Sequence, residues 1–98
     1  MHNANKVASY IGFAVRSRQV LFGLDSLRSA RKIPSLVLAD LSMSEANRHR
    51  AKQYADDHAI PYIETDAGFL ASVLKRDNIK LVAICDAQLA QAIVSQNV

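Results

Sequence analysis

Tryptophan is absent from this chain, and glycine, proline and cysteine are scarce, at three, two and one residues in 98. The lone Cys85 excludes an internal disulfide and fits a reducing compartment such as the cytoplasm. Gly12, Gly23 and Gly68 lie too far apart to build a phosphate-cradling loop. No apolar run approaches the eighteen or so residues of a membrane span. The opening residues Met1 to Lys6 do not lead into the unbroken apolar core of a signal peptide. Aromatic residues are only 6% of the chain, with no pair at the strand spacing of a sheet that stacks bases. Catalytic signatures are missing too: there is no G-x-G-x-x-G, P-loop, nucleophile elbow or H-E-x-x-H. His2, His49 and His58 have neither metal-ligand spacing nor a cysteine nearby. The expectation is a non-enzymatic protein with no cofactor, no metal, no membrane attachment and no small-molecule substrate.

What is present is an ordinary globular composition, with half of the residues hydrophobic, and one domain over residues 1–98. Net charge is only +3, but it is unevenly spread. Residues 1–32 hold six basic side chains against Asp25 alone, for +5, whereas residues 33–98 hold six basic and eight acidic, for −2. Such asymmetry points to an anionic partner on the N-terminal third, set against the plainer reading of a solvated basic face.

Helix and strand patterns alternate along the chain. Val7, Ile11, Ala14 and Val15 recur at helical spacing and predict a helix from about Asn5 to Arg16. Gln19 to Phe22 reads as a short strand. Gly23 permits a tight turn, Asp25 or Ser26 is placed to cap a second helix ending near Lys32, and Pro34 stops it. The apolar run Leu36 to Ala39 marks a strand covered on both faces. Ser42 and Glu45 have capping-box spacing for a third helix running to about His58, with Ala51, Tyr54, Ala55 and His58 inward. Ile60 to Ile63 is a strand whose proline suits a sheet edge, which leaves self-association open at Tyr62. Asp66 is placed to cap a fourth helix burying Phe69, Leu70, Val73 and Leu74. Leu81 to Cys85 is a second buried strand, and Asp86 is placed to cap a last helix burying Leu89, Ala90, Ile93 and Val94. This alternation gives an α/β domain with a sheet between helical layers.

Asp40 and Asp86 each end a buried strand, where open α/β folds place catalytic groups, so a carboxylate pair for Mg²⁺ is one reading. The turn-and-cap reading is simpler, since a helix follows each directly. Cys85 reads as a small core residue rather than a nucleophile. Recognition is left, and the stretch Tyr10 to Gly23 carries it. There a helix turns basic at its end, a short strand follows, and a glycine opens the next helix. Free N–H groups at a helix start, with Arg16, Arg18, Arg28, Arg31 and Lys32 flanking the Gly23 turn in sequence, form a candidate phosphate site if the strand brings them together. Arginines at a helix end are also ordinary C-terminal capping.

The pattern Gly12-Phe13-Ala14-x-Arg16-x-Arg18-x-x-x-x-Gly23 resembles the opening of bacterial L7Ae-like proteins of the ribosomal L7Ae/L30e family. The similarity continues through Leu36-Val37-Leu38-Ala39, Ser44-x-x-Asn47-Arg48-His49-Arg50, Ile60-Pro61-Tyr62-Ile63 and Val82-Ala83-Ile84-Cys85-Asp86. The resemblance implies a three-layer α-β-α sandwich with a mixed four-stranded sheet. It implies a cytoplasmic partner that is structured RNA, of kink-turn or ribosomal type. It would place the RNA on the turn at Gly23 and on Leu24, Asp25, Ser26, Arg28 and Ser29, with Arg16, Arg18 and Lys32 holding phosphates. Lys75 and Arg76 would form a second RNA-facing loop. Where the family usually carries Asn, Glu and Lys after the glycine, this chain has Asp25, Ser26 and Ser29. An aspartate repels phosphate and cannot donate as asparagine does. The alternative function is therefore a protein-interaction domain on the same fold.

Overall fold

The computed structural model describes residues 4–96, so the reading made of His2 lies outside the described residues. Its elements are α1 (Ala4–Arg16), β1 (Val20–Phe22), α2 (Leu24–Ser29), β2 (Leu36–Asp40), α3 (Glu45–Asp57), β3 (Tyr62–Thr65), α4 (Phe69–Leu74), β4 (Leu81–Ile84) and α5 (Ala87–Gln96). The strands form one sheet in the order β1-β4-β2-β3. β4 runs antiparallel to both β1 and β2, while β2 and β3 are parallel.

The two central strands explain the layering. Every residue of β2 and of β4 is buried, as their continuous apolar runs require. Alternate residues serve opposite faces. Leu36, Leu38, Val82 and Ile84 join Val7, Ile11 and Ala14 of α1, Leu70 of α4, and Ala90 and Ile93 of α5. Val37, Leu81 and Ala83 join Leu27 of α2 and Ala51 and Ala55 of α3. The result is an α/β three-layer sandwich, with three helices on one face and two on the other.

Several helix starts differ from expectation, each for a local reason. The third helix is capped by Ser44, whose Oγ accepts from the Asn47 N–H at 3.2 Å, and not by Ser42. Ser42 is drawn instead to Asp40, donating its N–H at 2.9 Å and its hydroxyl at 2.6 Å to the carboxylate. The second helix is shorter than its pattern and ends at Ser29, five residues before Pro34. Its cap position is Gly23 rather than Asp25 or Ser26, which lie in the first turn. Asp66 does not cap α4 with its side chain: its carbonyl accepts from the Phe69 N–H at 3.0 Å, and Gly68 takes the cap position. Asp86 does cap α5, accepting from the Leu89 N–H at 2.9 Å. His58 is exposed rather than inward, and its Nδ1 meets the Tyr54 carbonyl at 2.8 Å.

Candidate nucleic-acid interface

The pairing register decides which basic residues share a neighbourhood. Val20 stands opposite Ile84 and Phe22 opposite Val82, so β1 separates its two flanks by three strand residues, roughly 10 Å of rise. At one end of the sheet the Gly23 N–H donates to the Leu81 carbonyl at 3.1 Å. At the other, the Cys85 N–H donates to the Gln19 carbonyl at 2.8 Å. Arg16, Arg18 and Lys32 belong to the Gln19–Cys85 end. The charge of Lys32 acts on the Cys85 thiol there, partly offsetting the upward push of burial on that group. The convergence of Arg16, Arg18 and Lys32 around the Gly23 turn is therefore not what the chain does, because an antiparallel strand carries the backbone away between them.

What does gather at the Gly23 end comes from farther along the sequence. The Arg76 guanidinium lies 5.5 Å from the centre of the Phe22 ring, beside Gly23. Lys75 ends α4 in the left-handed region, with φ 57° and ψ 40°. Lys80 is exposed, and its carbonyl accepts from the Asp40 N–H at 2.8 Å. Asp25 and Ser26 are exposed in the first turn of α2, while Leu24 is half-buried against the core under α2 and α3. Gly23 itself has φ 86° and ψ 159°, a region that only glycine enters readily. A Cβ there would meet no atom within 4 Å, so the demand for glycine is conformational and not steric.

Asp40 organises this end from within. Its side chain is 1% exposed and accepts the Gly68 N–H at 3.0 and 3.1 Å, beside the two bonds from Ser42. Burial alone would raise its pKa, but these bonds and one from the Leu70 backbone outweigh it and hold the carboxyl below its ordinary value. An ionised carboxylate thus fastens the start of α4 to the end of β2. Asp86 lies at the opposite end of the sheet, since β2 and β4 are antiparallel. The two carboxylates consequently cannot share one metal ion.

The remaining candidates are dispersed. Arg16 stacks over Phe13, 4.7 Å from the ring centre, and Arg18 adopts φ 60° on the surface. Ser29 is exposed, its hydroxyl 3.5 Å from the Ser26 carbonyl. Arg28 points toward α3, where it lines a groove of about 210 Å³ with His49, Arg50, Gln53, Tyr54 and Asp57. A larger open groove of about 640 Å³ runs along α3 and β3, lined among others by Arg48, His49, Lys52, Tyr62 and Glu64. Arg48 pairs with Glu64 at 3.4 Å, and the Tyr62 hydroxyl donates to the same carboxylate at 2.9 Å. Burial first, then the bond to Glu64 and its charge, push the Tyr62 pKa well up, with Arg48 opposing. Sequence reasoning gave Asp40 a turn or cap role without its distant partner Gly68, and passed over Lys80 as a neighbour of Gly23. The placement of Lys80 immediately before a buried strand was the available signal.

No protein-family model matches the sequence, and no curated protein matches it. A solved structure of a protein of unknown function from Bacillus halodurans is similar over 93% of this chain and 95% of its own, with a TM-score of 0.79 and 17% identity. At that identity the likeness bears on the fold, which both chains share. No helix among the described residues is long and apolar enough to cross a membrane.

Proposed function

We propose that this protein is a non-catalytic RNA-binding protein of L7Ae/L30e type, cytoplasmic and associated with ribosomal or other structured RNA. The binding surface is the end of the sheet that holds Gly23, the first turn of α2 and the loop after α4. One observation carries the reading: Arg76, distant in sequence, stands over Phe22 beside the Gly23 turn, so the two segments the family resemblance singles out meet at one end of the sheet. In this reading Gly23 shapes the turn and Asp25 and Ser26 lie nearest the bases. Lys75, Arg76 and Lys80 hold phosphates, joined by Arg28 from the far end of α2.

The test is a gel-shift titration with a kink-turn RNA and a straight duplex of equal length, at low and at physiological salt. Preference for the kink-turn that survives physiological salt is the expected result. Equal, salt-sensitive binding to both, or none, overturns motif recognition. A second reading, a protein-interaction domain, is favoured by Leu41, which is 45% exposed at the same end of the sheet. It predicts that Leu41→Ser abolishes partner capture, whereas RNA binding through phosphates survives that substitution.

A further inference from the structure

The outer side of α3 carries cations that the fold does not neutralise. Arg28, His49 and Lys52 make no ion pair among the described residues, and Arg50 bonds only the neutral Asn47, at 2.7 Å. Asp57, the acid of this groove, accepts instead from the Gln53 amide at 2.8 Å. His49 and Lys52 stand three residues apart on the helix, neighbours at roughly 5–6 Å. Across from them Arg28 closes the α2–α3 groove, and both helices begin at the end of the sheet that holds Gly23. We infer that this groove and the adjoining surface of α3 form a second phosphodiester-binding track, along which an RNA held at the Gly23 end continues its backbone past Arg28, His49, Arg50 and Lys52. The inference rests on the RNA-binding reading above.

Two features favour an RNA backbone over an acidic protein surface as the occupant. Protein interfaces draw their energy from buried aromatic or aliphatic anchors. Of the exposed large apolar side chains, Phe13 is on α1, Ile33 follows α2 and Leu41 follows β2, so none is on α3 itself. Phosphate contact needs only cations on a polar, accessible surface, since it works through charge and counterion release.

The experiment is a fluorescence-anisotropy titration of a kink-turn RNA bearing a helical arm of about 20 base pairs, from 50 to 300 mM KCl. The proteins are the unmodified chain, the double variant Arg50→Gln/Lys52→Gln and the double variant Lys75→Gln/Arg76→Gln. All four substituted side chains are exposed, so thermal melting should confirm unaltered folding. The first double variant should make the log–log salt slope shallower by about 2. Backbone amides of residues 49–53 should also shift on RNA addition in ¹⁵N–¹H spectra. An unchanged slope and unmoved amides, with the second double variant still impaired, overturn the track and leave the Gly23-end reading standing. A shallower slope in the α3 variant alone supports the track and removes the Gly23 end from the footprint. No RNA binding at 50 mM KCl overturns both, and amide shifts on α3 with polyglutamate but not with RNA assign the face to an acidic protein instead.

Discussion

The two ends of the sheet are built from similar residues to different effect. At the Gln19–Cys85 end, Arg18 and Lys32 sit on connecting segments and neither enters an ion pair among the described residues; both lie on the far side of β1 from Gly23. At the Gly23 end, the Gly23 N–H is bonded to the Leu81 carbonyl of β4, the buried Asp40 carboxylate holds the start of α4, and Arg76 stands over Phe22. Basic residues scattered by the chain make a charged surface. Basic residues held by backbone bonds to a fixed frame make a shape that a structured anion can recognise.

The largest break in that contrast should come from Asp40. Replacing it by alanine leaves the Gly68 N–H without its buried acceptor and should cost about 3 kcal/mol of stability, measured by urea denaturation at pH 7. Because the folded-state pKa of Asp40 is lowered, its contribution is complete above the unfolded value and is lost as pH falls through the folded one. Asp40→Asn should therefore be less stable than the unmodified chain at pH 7 and should close the gap as the solution is acidified below about pH 4. A gap that stays constant with pH would show that the carboxylate's charge is not what holds α4.

Gly23→Ala should follow, with a loss of about 2 kcal/mol from forcing a side chain into its backbone conformation. The nearby Gly12, helical and clear of backbone, should tolerate alanine far better, and equal losses at the two positions would refute the conformational argument. Lys75→Gly sharpens the comparison by separating stability from binding. Removing a side chain from the left-handed position should raise stability by about 0.5–1 kcal/mol, while RNA affinity falls with the lost cation. Movement of both quantities in the same direction would contradict the assignment. The smallest effect belongs to the other end. Lys32→Ala should slow alkylation of Cys85 by iodoacetamide, because a neighbouring cation that favours the thiolate has gone. No change would place Lys32 elsewhere than beside that thiol.

The sequence made the layers readable where a single element sufficed to define them. The continuous apolar runs of β2 and β4 and the helical spacing of Val7, Ile11 and Ala14 each carry their burial in their own pattern. The short elements were less legible. α2 and α4 are six residues each, too short for periodicity to fix their ends, and the caps of both fell on glycines rather than on the nearby aspartates. The sequence points to Ser42 as the cap of α3, but Asp40 claims its N–H and hydroxyl, and Ser44 takes the cap position. The site was legible only in part, since Gly23 and Arg76 could be named separately but the neighbours of Gly23 depend on strand order. The antiparallel pairing of β1 with β4 brings Arg76 near and sends Arg18 away, and no local pattern encodes that choice.

The clamp between Asp40 and Gly68 also has a consequence for the order in which the protein acquires its shape. A six-residue helix is far below the length at which one is stable on its own in water. Its opening turn is completed by a carboxylate 28 positions earlier in the chain. α4 therefore has to wait for β2 to take its place in the sheet, and the loop bearing Lys75 and Arg76 has to wait for α4. A graft of residues 69–80 onto another scaffold would lose its form unless the strand ending in Asp40 travelled with it.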